Sequence, residues 1–104
     1  MKRGDVWWAQ LPRPAGRRPV VLVSRDEAYH VRELIVVVPV TTKRRGIPVE
    51  VPLGRNEGLR RHCVANADTV TTIPKQFLVE YAGSLDGGKV EQLDAALRFA
   101  LDLD

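Results

Sequence analysis

Two runs of β-branched residues, Pro19-Val-Val-Leu-Val-Ser24 and Leu34-Ile-Val-Val-Val-Pro-Val-Thr41, constrain this chain more than any other feature. Neither places apolar residues at helical spacing, and β-branched side chains lose rotamer freedom in a helix but pack well on a pleated surface. Both runs are almost continuously apolar, which predicts strands covered on both faces. Asp5-Val-Trp-Trp-Ala-Gln-Leu11 predicts another strand, stopped by Pro12, and residues 12–19 form a rigid connector of proline and glycine. Residues 48–53 alternate apolar with polar or proline, which suits an edge strand. Asn56-Glu-Gly58 signals a turn. Residues 63–67 and 69–73 predict one strand, bent or bulged near Asp68. Residues 26–32 and 74–78 suit short helical turns, the second with proline at its first position.

The period changes only at the C-terminus. Val90, Leu93, Leu97, Ala100 and Leu101 recur at helical spacing and predict one amphipathic helix, with Asp86 as N-cap and Gly87-Gly88 at its start. Asp102 and Asp104 stand at the negative end of that helix, which predicts a frayed last turn. The expected fold class is therefore mainly β (α+β): a small, strongly bent antiparallel sheet or barrel closed by a C-terminal α-helix. A length of 104 residues suits one domain. The one cysteine, Cys63, excludes a disulfide framework and a cysteine-rich zinc site. No apolar run is long enough to span a bilayer, and no signal-type apolar core follows Met1. A cytoplasmic protein without a membrane partner is expected.

Charge is unevenly distributed. Residues 1–61 hold thirteen Lys/Arg against six Asp/Glu, whereas residues 62–104 hold three against seven. The first part is thus net +7 and the second net −4, which makes a polyanion a candidate partner. The basic residues concentrate in three places: Arg17-Arg18, Lys43-Arg44-Arg45 and Arg60-Arg61. If the strands around Pro19 and Thr41 are neighbours, two of these loops flank one groove. Arginine suits phosphate because its planar fork donates two parallel hydrogen bonds. Each of these cations alone is equally well explained as solubilising charge.

Thr41 and Thr42 close an apolar strand beside a basic loop, where a hydroxyl can bond a phosphate oxygen without adding charge; β-branched strand residues are the ordinary explanation. Asp68 either orients an arginine, accepts a proton, or fixes a bulge by bonding nearby backbone. One of Trp7 and Trp8 faces outward from a strand, where it can stack a base, and the other belongs in the core. His30 and His62 offer a two-histidine acid–base reading, disfavoured because both fall in loops or strand entries far apart in sequence, and Cys63 reads as a small buried hydrophobe. No phosphate-binding glycine loop, HExxH or close carboxylate pair occurs, so neither a nucleoside-triphosphate enzyme nor a metalloprotease is indicated, and no metal or cofactor is expected.

The ordered set Arg3-Gly-Asp-Val-Trp-Trp, Gly16-Arg-Arg-Pro-Val-Val-Leu-Val-Ser24, Val38-Pro-Val-Thr-Thr42, Thr72-Ile73 and Leu93…Ala96-Leu97 resembles the MazF/PemK (Kid) toxins of type II toxin–antitoxin systems, over nearly the whole chain. The resemblance implies an SH3-like, CcdB-like β-barrel with a C-terminal helix, assembled as a homodimer. It implies a metal-independent endoribonuclease that cuts single-stranded RNA at short sequences. The ribose 2′-OH attacks phosphorus, leaving a 2′,3′-cyclic phosphate and a 5′-OH. An antitoxin protein with an acidic C-terminal segment is the implied partner.

On this resemblance the catalytic arginine falls on Arg18, the threonine closing the third strand on Thr41, and the PemK aspartate base on Asp68. Arginine stays protonated at neutral pH and is a poor base, so phosphate stabilisation and proton donation are the expected roles of Arg18, with Thr41 positioning the phosphate. Arg17, Thr42, Lys43, Arg44, Arg45 and Asn66 are the expected substrate contacts. The sequence departs from the family twice: the first loop is only Arg13-Pro-Ala-Gly-Arg17, and Asn66 stands where PemK has an arginine. A non-catalytic nucleic-acid-binding module and a gyrase-directed toxin of CcdB type are the competing functions on the same fold.

Overall fold

The computed structural model describes all 104 residues. Seven strands form one bent antiparallel sheet: β1 (Asp5–Gln10), β2 (Arg17–Leu22), β3 (Leu34–Thr41), β4 (Glu50–Leu53), β5 (Cys63–Asn66), β6 (Thr71–Pro74) and β7 (Leu78–Ser84). The order across the sheet is β4-β5-β3-β2-β1-β7, with β6 also paired to β3. A one-turn helix, α1 (Ala28–Val31), precedes β3, and the C-terminal helix α2 (Gly87–Leu101) closes the chain. The expected mainly β architecture is present: a curled half-barrel sheet with a C-terminal helix. No helix is long and apolar enough to cross a membrane.

The β-branched runs became β2 and β3 because their side chains fill two cores. Val6, Val21, Val38, Val40, Val51 and Leu53 belong to one, under α2; Val20, Leu22, Tyr29, Ile35, Val37 and Ile73 belong to the other. The expectation of full coverage fails at the start of β3, where Leu34 is 59% and Val36 37% exposed. Strand β4 lies at the sheet edge, where Pro52 removes no needed ladder donor.

Residues 63–73 are two strands rather than one. β5 pairs with Val40 and Thr41, β6 pairs with Leu34–Val37, and a 3₁₀ turn over Ala67–Thr69 separates them. The break falls opposite Val38 and Pro39, and Pro39 has no N–H to offer a ladder. Asn66, not Asp68, fixes this turn: its side-chain oxygen accepts the Asp68 N–H at 2.9 Å, and its carbonyl accepts the Thr69 hydroxyl at 2.8 Å.

Asp86 caps α2 as expected, accepting the Lys89 N–H at 2.8 Å. Leu93 and Ala96 are the residues α2 buries, while Leu101 is 52% exposed and lies off the apolar stripe. The last turn is closed by a cap, against the expectation of an open end. Asp102 adopts a left-handed conformation, and the N–H groups of Asp102 and Leu103 close onto the carbonyls of Phe99 and Arg98 at 3.3 and 2.8 Å. That satisfies carbonyls which the unfavourable charge of Asp102 alone leaves open.

Strand β7 has no apolar signature and was not anticipated. It pairs with β1 through two register shifts, one on each side of Trp7-Trp8. Bulges re-aim side chains, and here they bracket the two tryptophans.

Candidate active site

The β2–β3 register builds the site. Val20 pairs with Pro39, Val21 with Val38 and Leu22 with Val37; continued toward the strand ends, this register sets Arg18 level with Thr41. Both side chains line a cleft of about 730 Å³. Arg17 and Thr42 line it from the same strand ends, Trp8 from β1, Arg60 and Arg61 from the loop before β5, and Glu80 and Tyr81 from β7. Its floor is apolar, with Leu59 and Cys63 buried beneath it.

A smaller cleft of about 510 Å³ adjoins it, and Arg18 and Thr41 line both. Lys43, Arg45 and Asn66 line this second cleft. Thr41 Oγ1 accepts the Lys43 N–H at 3.2 Å, so a hydroxyl of the cleft wall also anchors the basic loop. Glu50 holds that loop from below, accepting from the N–H of Arg45 at 3.1 and 3.0 Å and of Gly46 at 2.9 Å. Desolvation pushes the Glu50 carboxyl up, but the N–H groups of Arg45, Gly46 and Ile47 outweigh it and hold the carboxyl below its usual range. Asn66 commits its amide oxygen to the Asp68 N–H, which leaves its NH₂ free to donate.

Within the main cleft Arg17 is half occupied already. It forms an ion pair with Glu80 at 2.6 Å, and its guanidinium lies 5.0 Å from the Trp8 ring centroid. Trp8 is therefore the cleft-facing tryptophan. Trp7 packs against the second core and meets Tyr81 edge-on at 5.8 Å, with its Nε1–H buried and unbonded. Neither ring is fully buried.

Two expected site residues stand apart. Asp68 is exposed and lines neither cleft, and Arg44 is exposed and lines neither. His30, on α1, and His62, before β5, line no common cavity. Cys63 is buried; burial first, and the nearby Glu57 second, push its thiol up, away from nucleophilic thiolate. No cluster of three His, Cys, Asp or Glu side chains suitable for a metal ion is present.

Sequence reading missed Glu80 and Tyr81 because β7 itself was unreadable, and missed the cleft floor because Leu59 sits in a loop. The arrangement suits an anion: four arginines and two threonine hydroxyls converge, with Glu80 the one carboxylate among the lining side chains.

Comparisons with known proteins place the chain in a family. Residues 2–101 match the family described as PemK-like, MazF-like toxin of type II toxin-antitoxin system. The chain is 36% identical over 101 residues to the probable endoribonuclease MazF5 of Mycobacterium tuberculosis, covering 96% of this chain and 92% of that one. Among solved structures, the Mycobacterium tuberculosis toxin MazF-mt6 superposes with a TM-score of 0.89 at 32% identity, over 96% of this chain and 98% of that one. An endoribonuclease in complex with its cognate antitoxin, from a mycobacterial species, superposes with a TM-score of 0.86 at 30% identity, over 100% and 97%. The half-barrel, its C-terminal helix and the near-complete match together show that this chain belongs to the PemK-like, MazF-like toxins of type II toxin–antitoxin systems.

Proposed function

We propose that the protein is an endoribonuclease toxin that cuts single-stranded RNA in the cytoplasm and is neutralised by a cognate antitoxin. The single observation that carries the activity is the convergence of Arg18 and Thr41 on the wall shared by the two basic clefts. A phosphodiester seated there meets the Arg18 fork and the Thr41 hydroxyl, and Asn66 donates from the smaller cleft. Attack by the ribose 2′-OH develops charge on the non-bridging oxygens, which a fixed guanidinium stabilises more in the transition state than in the ground state. Bond formation at phosphorus expels the 5′-oxygen, leaving a 2′,3′-cyclic phosphate and a 5′-OH.

The attacking hydroxyl must lose a proton and the leaving oxygen must gain one. The family resemblance assigns the acceptor to Asp68, which stands outside both clefts, whereas Glu80 lies within the main one. Substitution of each separates them: Asp68→Asn is expected to cost less than the roughly hundredfold that losing a general base costs.

An acidic antitoxin segment has the charge to cover the same clefts. A homodimer is supported by the exposed edge strand β7, where Val79 is 51% and Tyr81 52% exposed. Light scattering on the purified protein tests that assembly.

The activity is tested with mixed-sequence single-stranded RNA in EDTA. Cleavage leaving 5′-OH ends, blocked by a 2′-deoxy nucleotide at the cut and lost in Arg18→Ala, is the expected result. Binding without cleavage identifies a nucleic-acid-binding module instead, and intact RNA with trapped gyrase–DNA identifies a toxin of CcdB type.

A further inference from the structure

A third cavity, of about 640 Å³, opens beside the main cleft and shares Arg60 and Arg61 with it. Arg55 and Lys89 complete its cationic lining, with His62 beside them. The protein has two ion pairs, Arg3–Asp94 and Arg17–Glu80, so none of the four Lys/Arg side chains of this groove is neutralised by a carboxylate. The one carboxylate in its lining, Glu57, is buried and turned inward, accepting the Gly54 N–H at 2.7 Å. Cationic groups therefore face the cavity while the acid that could balance them is committed to the backbone.

The groove is built rather than a chance of loose side chains. The 3₁₀ turn Arg55–Glu57 is pressed against β7: Gly58 has φ +85°, and a Cβ there would lie 1.9 Å from the Ala82 carbonyl oxygen. A Cβ on Gly83 would likewise lie 2.4 Å from the Glu57 carbonyl oxygen. Only glycines permit this approach, which seats Arg55 and Arg60 on either side of one docked turn. Lys89 is half-buried and donates Nζ–H to the Pro52 carbonyl oxygen, which holds it against β4.

We infer that this groove over Arg55, His62 and Lys89 is a second RNA-backbone site, which holds the phosphates of the strand flanking the segment cut in the main cleft. The inference rests on the ribonuclease reading above. Continuity through Arg60 and Arg61 favours one strand running from cleft to groove, and four Lys/Arg side chains without a carboxylate partner favour phosphate recognition over sequence recognition. The site thus adds affinity for longer strands without changing the cut motif.

The test uses fully 2′-O-methylated strands, which cannot be cut, so binding is measured whether or not the protein is a nuclease. Fluorescence anisotropy compares a strand of about 5 nucleotides with one of about 12. The wild type is expected to bind the longer strand roughly tenfold more tightly at low salt, and Arg55→Gln/Lys89→Gln to lose most of that gain while binding the short strand unchanged. The slope of log Kd against log salt on the long strand is expected to fall by about 1.4, about 0.7 for each cation removed. Arg55→Lys/Lys89→Arg, which keeps both charges, is expected to behave as wild type and so separates charge from folding. Equal binding of the two strands by the wild type overturns the inference. So does equal weakening of both strands in the Gln variant. An unchanged long-strand slope, with weaker binding only of an acidic peptide, assigns the groove to a protein partner and overturns it as well. An unmodified long strand left intact by the wild type, with the length effect present, instead refutes the ribonuclease reading and leaves the groove a backbone site.

Discussion

The two ends of the bent sheet treat arginine in opposite ways. Beneath α2, Arg3 is consumed by the fold: its guanidinium bonds Asp94 at 2.8 Å and the Val23 carbonyl at 3.1 Å, and its backbone N–H bonds Asp26 at 2.7 Å. At the cleft, Arg18, Arg60 and Arg61 have no carboxylate partner. Like charges crowded near a protein surface repel by an appreciable fraction of the protein's marginal stability. A paired arginine stabilises the scaffold, whereas an unpaired cluster costs stability until an anion arrives. The difference separates residues that make the fold from residues that use it.

The largest expected effect breaks the cleft without touching the scaffold. Arg18→Ala should lower kcat/KM on single-stranded RNA by about 10²–10³, as removal of a transition-state donor does, and leave the melting temperature within about 2 °C. Arg18→Lys should recover only part of the loss, because an ammonium cannot form the two-pronged contact. The reverse dissection is Leu93→Ala, which empties a fully buried position under α2. It should cost about 2–5 kcal/mol in urea unfolding and leave the cleavage rate of the folded protein unchanged.

A smaller effect comes from Tyr29, a scaffold residue whose hydroxyl donates to the Ser24 carbonyl at 3.1 Å. Burial pushes its pKa up to about 12. The unfolded chain releases this proton near pH 10, so the stabilisation is complete below pH 10 and is lost as pH rises through 12. Urea titrations should show about 2–3 kcal/mol disappearing across that window, and Tyr29→Phe should remove this part of the alkaline loss, leaving the smaller part that the raised Cys63 thiol contributes. The smallest effect sharpens the pairing argument itself. Asp94→Asn should cost about 1 kcal/mol or less, since the pair is partly exposed, and leave the salt dependence of RNA binding alone. Arg60→Gln should do the opposite, lowering the salt slope by about 0.7 with little change in stability.

Much of this division was already legible along the chain. The β-branched runs, the edge character of residues 48–53, the Asp86 cap and the basic pairs are local features, and local physics produced them. Strand β7 was illegible because Val79, Glu80 and Tyr81 alternate in no useful way: its outer side chains are exposed, so burial left no pattern. The break between β5 and β6 was half visible at Asp68, but its cause lies across the sheet at Pro39. Asn66, singled out as a donor to substrate, proved also to be the residue that shapes the turn. The helix stripe misplaced Leu101 because helical spacing alone does not say where the core ends.

The amino-acid sequence by itself determined the strand-rich body, the single C-terminal helix and the supply of arginine and threonine at strand ends, because periodicity, capping and backbone preference act over a few residues. Only the tertiary structure decided which of those residues meet. The β2–β3 register brought Arg18 to Thr41, the docking of Gly58 against β7 carried Arg60 and Arg61 to the same cleft, and the turn beyond Asn66 left Asp68 outside it. Those outcomes depend on pairings between segments tens of residues apart, where close packing and hydrogen-bond register, not local sequence, set the geometry.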